Sequence, residues 1–332
     1  MTLKTPSYWY PKDERRDWRR MALCPFASLY GVFFKLHQGM TRTKKAPLPI
    51  LCLGNLVAGG TGKTPSAIAV LNYLKDQGLA DNPGFMLRGY GGAERGPLLV
   101  NTAKHSAWDV GDESLILAQH APTIVSADRI AGAALAAKHG IDFLVMDDGL
   151  QNPGIQKDIS IIVVNGEMGF GNGKMMPAGP LREPLERGLA KADAFLLIGD
   201  DRAGVLDMLP DDVPVLRGHL KPSPDFKANL KQRYFAFAGL GYPDKFFNFL
   251  RDDLGLNVVE TQAFGDHCPY GAGDFRALRE KAKSMDARLI TTTKDYLRLP
   301  IGDKDLVDIV PVAMEIDGLD TLDALVQGLG RS

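Results

Sequence analysis

The chain has 332 residues, 45% of them hydrophobic and 24% charged, with a formal net charge of −1. That length accommodates two domains, or one large α/β domain with appendages, and the near-neutral balance gives no sign of a nucleic-acid partner. Cys24, Cys52 and Cys268 show no CxxC spacing, which argues against a disulfide scaffold or a zinc site and for a reducing compartment. No apolar run reaches the ~18–20 residues that span a bilayer.

The charge is unevenly distributed: ten Lys/Arg face three Asp/Glu through Pro47, net +7, which leaves −8 for the remainder. In this basic segment MALCPFASLYGVFF (Met21–Phe34) follows RRDWRR and precedes KLHQGMTRTKK. A signal peptide fits poorly, because the cationic lead is long and bulky and no small-x-small site follows. Two readings remain, a helix packed on the domain behind it and an interfacial helix. In the second, which is favoured, Trp9, Trp18, Phe26, Leu29, Tyr30, Phe33 and Phe34 enter lipid while Arg15, Arg16, Arg19 and Arg20 meet anionic head groups. Pro25 would start such a helix or kink it.

From residue 48 short apolar strands alternate with helical patterns, as in a parallel sheet with crossover helices. Strands are predicted at 50–53, 84–87, 123–126, 143–146, 159–164 and 194–198, and helices at 66–75 and 128–139. Several strands are apolar on both faces, as expected when helices cover both sides. After about residue 215 the pattern changes. YFAFAGLGYPDKFFNFL reads as strand, turn and aromatic helix; further strands are predicted at 258–261 and 289–293, with a charged helix at 274–287 between them. The expected organisation is a basic segment 1–47, an α/β core 48–215 and a smaller α/β lobe 216–332.

Between the first strand and first core helix stands VAGGTGKTP, Val57–Pro65. A strand, a Gly-rich turn and a helix N-terminus aim several backbone N–H groups at one point, where phosphate oxygens are attracted by hydrogen bonds and by the helix dipole. Val57, Ala58, Gly59, Gly60, Thr61, Gly62, Lys63 and Thr64 form the expected nucleotide cradle. Lys63 supplies a cation for the β/γ-phosphates and the Thr64 hydroxyl a Mg²⁺ ligand. Val57 occupies the place of the first glycine in G-x-x-x-x-G-K-[ST], which requires only that this residue take a conformation open to other side chains.

A nucleotide loop needs an acidic metal partner at the end of a neighbouring strand. Phe143–Met146 followed by Asp147-Asp148-Gly149 supplies it, one carboxylate reaching the metal and the other orienting it. For the group beside the incoming hydroxyl the candidates are Asp112 in VGDES and His267 in GDHCPY, both read as lying in polar turns. Arg88, Arg129 and Arg182 are candidate partners for developing charge. The residues alone define a P-loop Mg²⁺–nucleotide enzyme with an open choice of acceptor.

The full set of motifs is GNLVAGGTGKTP (54–65), RGYGG (88–92), VGDE (110–113), ADR (127–129), MDDGLQ (146–151), GNGKMMPAGPLRE (171–183), FAGLGYPDKFF (237–247), GDH (265–267) and TTTKDYLRL (291–299). In this order it resembles the tetraacyldisaccharide 4′-kinase family, the lipid A 4′-kinases of Gram-negative bacteria. The resemblance implies a P-loop NTPase core with a mostly parallel sheet flanked by helices, a smaller C-terminal α/β lobe and an N-terminal membrane-associating helix.

The implied reaction transfers the γ-phosphate of ATP, with Mg²⁺, to the 4′-hydroxyl of a tetraacyl glucosamine disaccharide 1-phosphate, giving lipid IVA. It would take place at the cytoplasmic face of the inner membrane, with the lipid substrate and the membrane surface as partners and no nucleic acid or obligate protein. It also implies that Asp112 and His267 act on the hydroxyl, with lobe closure bringing them together. Thr64, Asp147 and Asp148 would serve Mg²⁺–ATP, and Lys63, Arg182 and Glu183 would lie by the reacting groups. Two positions depart from the family pattern. Asn152 stands where many members have His after DDGxQ, and Cys268 where an aromatic residue or His commonly follows GDH.

The alternative is a membrane-positioning P-loop ATPase acting as a conformational switch. Its loop carries a Lys immediately before the two glycines, where this chain has Ala58. A scaffold with a vestigial loop is disfavoured by intact Lys63, Thr64, Asp147 and Asp148.

Overall fold

The computed structural model describes residues 6–11, 18–224, 226–227, 229–241, 243–265, 270–299 and 304–329. Arg15, Arg16, His267 and Cys268 lie outside the described residues. The chain divides into two compact units, one of residues 6–220 with 314–332 and one of residues 221–313. The lobe expected to run from 216 to 332 therefore ends early.

The larger unit opens with α1 (Trp18–Met40), followed by β1 (Ile50–Gly54), α2 (Lys63–Asp76), β2 (Pro83–Leu87), β3 (Leu98–Leu99), α3 (Ala107–Val110), α4 (Asp112–Leu117), β4 (Thr123–Val125) and α5 (Arg129–Lys138). It continues with β5 (Phe143–Asp147), β6 (Ile159–Asn165), α6 (Leu185–Leu189), β7 (Ala194–Ile198) and β8 (Val215–Pro222). The smaller unit contains β9 (Arg233–Ala238), α7 (Pro243–Asn248), β10 (Asn257–Ala263), α8 (Ala272–Ser284), β11 (Arg288–Thr292), α9 (Thr293–Leu297) and β12 (Val307–Val310). β13 (Val312–Asp317) and α10 (Thr321–Leu329) then return the chain to the larger unit. They belong there because β13 lies beside β8 in its sheet and Tyr73 of α2 donates a 2.9 Å hydrogen bond to Asp323 of α10.

The larger sheet has the order β13-β8-β7-β6-β1-β5-β2-β4-β3. β1 pairs in parallel with β5 and β6, and the short edge strand β3 pairs antiparallel with β4. β1, β2, β5 and β7 are buried along their whole length, in keeping with their unbroken apolar sequence and with helices on both faces. In α2, Ala67, Val70, Leu71 and Leu74 are buried, the i, i+3, i+4, i+7 set of one helix face. Asp128 starts α5 by accepting from the backbone N–H groups of Ile130 and Ala131, a standard N-cap.

In the smaller unit the sheet order is β10-β9-β11-β12, with every pair parallel. The run YFAFA in β9 divides by alternation. Tyr234, Ala236 and Ala238 pack with Phe246, Phe247 and Leu250, while Phe235 and Phe237 pack with Phe275 and Leu278 on the opposite face.

α1 is continuous through Pro25, so that residue neither starts nor ends it. Its outer face exposes Trp18, Met21, Phe26, Leu29, Val32, Phe33, Leu36 and Met40, each more than half accessible. From Phe26 to Met40 these positions recur at three- and four-residue intervals and form one apolar stripe. Trp9, Tyr30 and Phe34, expected in lipid, face the protein instead. Trp9 donates from its indole to the carbonyl of Pro177 at 3.1 Å, Tyr30 donates to the carbonyl of Arg182 at 3.1 Å, and the Phe34 ring lies under Arg187 and Lys191. Among the described residues no helix is long and apolar enough to cross a membrane.

Candidate active site

The register of the central strands sets the site. Leu53 of β1 is level with Asp147 of β5, so the loop after β1 and the carboxylates after β5 emerge side by side at the carboxyl edge of the sheet. β5 then sends the chain across to β6, on the other side of β1, which makes this the topological switch point where open α/β sheets bind ligands.

The loop is fixed at both ends. Asn55, fully buried, donates from its amide to the carbonyl of Val57 at 2.8 Å and to the Thr61 hydroxyl at 3.1 Å. Val57 forms an antiparallel bridge with Leu181. The N–H of Ala58 donates to the carbonyl of Pro180, and that of Arg182 to the carbonyl of Leu56, both at 2.8 Å. The first loop position is thus part of a two-stranded clasp and buried in the core. A β-branched side chain fits that extended, half-sheet environment; here is the physical reason for valine where glycine is usual. Gly59 and Gly60 present open space to any atom added at their Cα, and α2 begins at Lys63 directly behind them.

Around the loop the charged groups are ordered. The Thr64 hydroxyl donates to Asp147 Oδ2 at 3.0 Å. Asp147 is buried, and its Oδ1 has no hydrogen-bond partner among the described residues. Burial, then the facing charge of Glu113, push its carboxyl up to about 7 against the pull of Lys63. Asp148 has φ 57°, an uncommon conformation for a side-chain-bearing residue and one that clusters at functional sites. Its Oδ1 is 2.7 Å from Arg182 Nη1 and 3.9 Å from Lys63 Nζ. Burial alone would raise the Asp148 pKa, but Lys63 and Arg182 outweigh it and hold it below the usual carboxylate range.

Asp112 is placed differently from the polar turn expected for it. It is buried as the first residue of α4, directly after α3, where an acidic side chain is favoured by the helix dipole. Gly111 before it has φ 82°, and a side chain there would come within 2.5 Å of the Tyr90 carbonyl. The RGYGG turn therefore packs directly on the backbone that presents Asp112. Arg129 is buried, donating to the carbonyl of Ser126, with its Nε unpartnered among the described residues; Arg88 is exposed.

Lys63, Thr64, Asp147, Asp148 and Arg182 are brought together, and Glu113 joins them through its field on Asp147. Glu183, expected beside the reacting groups, is instead fully buried. Its two oxygens accept from Gln151 Nε2 at 3.1 Å and from Lys191 Nζ at 2.5 Å, because the chain turns inward after Arg182 and these donors neutralise the buried charge. Gln151 also donates to the carbonyl of Asn55 at 2.9 Å, so Glu183 braces the foot of the nucleotide loop.

Asn55, Glu113 and Gln151 lie within the sequence motifs, but nothing in their residue types marks these roles. Their signal was the motif, not the residue type. Lys191 carried no signal at all.

The arrangement suits a Mg²⁺–nucleotide. The hydroxyl of Thr64 and an unpartnered Asp147 oxygen stand at the foot of an open loop of backbone N–H groups. No group of three or more His, Cys, Asp or Glu capable of holding a metal by itself occurs among the described residues, and Mg²⁺ bound with nucleotide needs only one or two carboxylates.

Loop, strand-end carboxylates and switch-point location define a P-loop nucleotide-binding α/β protein. A family model described as tetraacyldisaccharide-1-P 4′-kinase matches residues 19–329, and the chain belongs to that family. A tetraacyldisaccharide 4′-kinase of Rhodospirillum centenum is 46% identical over 329 residues, covering 98% of this chain and 97% of that one. Its counterpart from Paramagnetospirillum magneticum is 40% identical over 330 residues, with 99% of both covered. Among solved structures, LpxK from Aquifex aeolicus in complex with ATP superposes with a TM-score of 0.74 at 26% identity, over 93% of this chain and 99% of that one. The expected fold, a P-loop core with a mostly parallel sheet, is borne out. The switch ATPase is not favoured; at Ala58 the backbone is engaged by Pro180.

Proposed function

We propose that this chain is an ATP-dependent kinase that phosphorylates the 4′-hydroxyl of tetraacyl glucosamine disaccharide 1-phosphate, a step of lipid A biosynthesis that yields lipid IVA. The observation that carries the reading is the Thr64–Asp147 pair at the foot of a clasped phosphate loop, in a chain of this family.

The N–H groups of residues 59–64 at the start of α2 receive the phosphates, while that of Ala58 is held by the clasp, and Lys63 adds its charge. A bound Mg²⁺ would supply positive charge to offset that developing on the phosphates. Thr64 and Asp147 are the residues to hold it, with Asp148 beside them and Glu113 adding negative charge that favours a divalent cation. Arg182, oriented by Asp148, stabilises the charge on the transferring group. Asp112 accepts the proton of the 4′-hydroxyl, together with His267. Glu183 acts through Gln151 and Asn55, by holding the loop.

The enzyme works at the cytoplasmic face of the inner membrane. Each buried CH₂ of an acyl chain holds its lipid in the bilayer by about 0.8 kcal/mol, so the enzyme goes to the substrate. The outer stripe of α1 supports this reading, and Arg19 and Arg20 at its start suit anionic head groups. The inner face of the same helix contacts the 182–191 segment through Tyr30 and Phe34, which sets the phosphate-handling residues next to the surface from which a head group would be offered.

The decisive assay is phosphoryl transfer from Mg²⁺–ATP to tetraacyl disaccharide 1-phosphate in mixed micelles, with ATP hydrolysis in the absence of lipid as control. Lys63→Ala should abolish transfer, and retained transfer would refute the role of the loop. Asp112→Asn should lower kcat far more than it weakens ATP binding; the reverse pattern would make Asp112 a nucleotide residue.

A further inference from the structure

The inward face of α1 carries one polar contact that the proposed function does not use. Ala27, Tyr30, Gly31, Phe34 and Gln38 recur at the spacing of a single helix face. Ala27 and Gly31 are buried, and a side chain at Gly31 would come within 3.5 Å of the Met175 sulfur. At the last of these positions Gln38 donates from its amide to the Gln151 carbonyl at 2.8 Å. An inward position filled for packing alone takes an apolar residue, as Ala27 and Phe34 do; Gln38 supplies a donor instead.

What it holds is a branch point. Gln151 stands in the turn that follows Asp147 and Asp148, closed by the Asn152 N–H donating to the Gly149 carbonyl at 3.0 Å. Its Nε2 donates both to the Asn55 carbonyl at 2.9 Å and to Glu183 Oε1 at 3.1 Å. Asn55 in turn donates to the Val57 carbonyl and the Thr61 hydroxyl, inside the nucleotide loop. A side chain that forks in this way delivers both bonds only if its own backbone is fixed. α1 reaches the fork from two directions, because Phe34, one turn before Gln38, lies under Lys191, whose ammonium pairs with Glu183.

The chain beyond the fork has separate anchors. Thr43 donates to the Pro153 carbonyl at 2.9 Å, the Lys44 N–H to the Gly154 carbonyl at 3.1 Å, and the Gln156 N–H to the Lys44 carbonyl at 2.9 Å. Lys157 donates to the Asn152 carbonyl. These contacts fix residues 152–156, and Gln38 adds the hold on Gln151 itself.

We infer that Gln38 is a positioning residue for the nucleotide loop, acting through Gln151 and Asn55 to set the backbone N–H groups that receive the phosphates. The inference rests on the reading of residues 59–64 as the phosphate cradle. It places one fixed point of the nucleotide site on the helix whose outer face is the proposed membrane contact.

The test uses the full-length enzyme in mixed micelles and reads Mg²⁺–ATP affinity by equilibrium binding, together with both KM values and the melting temperature. Gln38→Leu removes the donor at similar size, and Gln38→Glu keeps the shape while setting an acceptor against the Gln151 carbonyl. Gln38→Leu should weaken Mg²⁺–ATP binding roughly five-fold, the scale of one hydrogen bond, and Gln38→Glu at least as much. For Gln38→Leu the KM for lipid, vesicle binding and the melting temperature should stay those of the native enzyme, while deuterium uptake at residues 59–64 of the nucleotide-free protein rises. In a Gln151→Met background, where the fork is absent, Gln38→Leu should weaken binding no further.

Unchanged ATP binding in either Gln38 variant, or a loss that multiplies with that of Gln151→Met, would overturn the inference. So would a loss that tracks a lowered melting temperature with no change in loop exchange. Full Mg²⁺–ATP binding by Lys63→Ala would instead overturn the phosphate cradle on which the inference rests.

Discussion

Thr64 and Asp147, 83 residues apart in the chain, are joined by a 3.0 Å hydrogen bond from the threonine hydroxyl to Asp147 Oδ2. The bond exists because β1 and β5 are adjacent and in register at Leu53 and Asp147. It orients one carboxylate oxygen and leaves the other without a partner among the described residues, at the place where a cation would be held. Thr64→Val should raise the Mg²⁺ concentration needed for half-maximal transfer by roughly ten-fold, the cost of about 1.4 kcal/mol, while leaving the thermal stability of the free enzyme little changed. A Mg²⁺ titration of the steady-state rate measures it.

Asp147 also makes the free enzyme sensitive to pH. Its folded-state pKa, about 7, lies above the ordinary carboxylate value of 3.8, so between these values the native state holds a proton that the unfolded state has lost. Stability contributed at this site consequently falls as pH rises from about 4 to 7 and levels off above. Asp147→Asn, free of that penalty, should raise the melting temperature of the nucleotide-free protein by an amount that grows over this window and is constant beyond it. Mg²⁺–ATP should stabilise the native protein but not the variant at pH 8. Melting curves at several pH values, with and without Mg²⁺–ATP, test both statements.

Restoring the usual first glycine of the loop should do harm. Val57 is buried and bridged to Leu181, so Val57→Gly loses apolar burial and adds backbone freedom, together about 2–4 kcal/mol. The expected results are a lower urea midpoint and weaker ATP binding, the latter because the clasp with Pro180 and Leu181 loosens.

The two faces of α1 should separate by function. Phe33 is exposed, and Phe33→Glu should reduce binding to anionic vesicles at least ten-fold with an unchanged melting temperature. Phe34 lies under Arg187 and Lys191, and Lys191 pairs with Glu183. Phe34→Ala should therefore lower kcat in detergent micelles, where vesicle binding plays no part. Equal effects of both substitutions in both assays would contradict the division.

Much of the larger unit was legible in the sequence, because its central strands are unbroken apolar runs and its helices carry clear periodicity. β8 and β13 were not. Both sit toward one edge of the sheet, where few residues are buried, and VLRGHLKP and VAMEID are interrupted by charged or polar residues, unlike the unbroken apolar runs of the central strands. The return of residues 314–332 to the larger unit was invisible for the same reason.

In the site, Lys63, Thr64, Asp147 and Asp148 could be read because each follows a strand or opens a helix at a fixed spacing. The bracing groups could not, since Glu183 looks like any exposed acid until Gln151 and Lys191 are seen around it. Likewise, the inward turn of Tyr30 and Phe34 depends on which side of α1 meets the 182–191 segment, and composition does not reveal that.

The outer stripe of α1 has a practical consequence for handling the protein. From Trp18 to Met40 the helix is roughly 33 Å long at 1.5 Å per residue, and the apolar row along it has little cover from the described residues of its own chain. In water such a row finds the nearest greasy surface, whether a vesicle, a vessel wall or the same row on a second molecule. Yield, apparent mass and specific activity should all depend on added amphiphile, and dilution without it should cost activity before it costs structure.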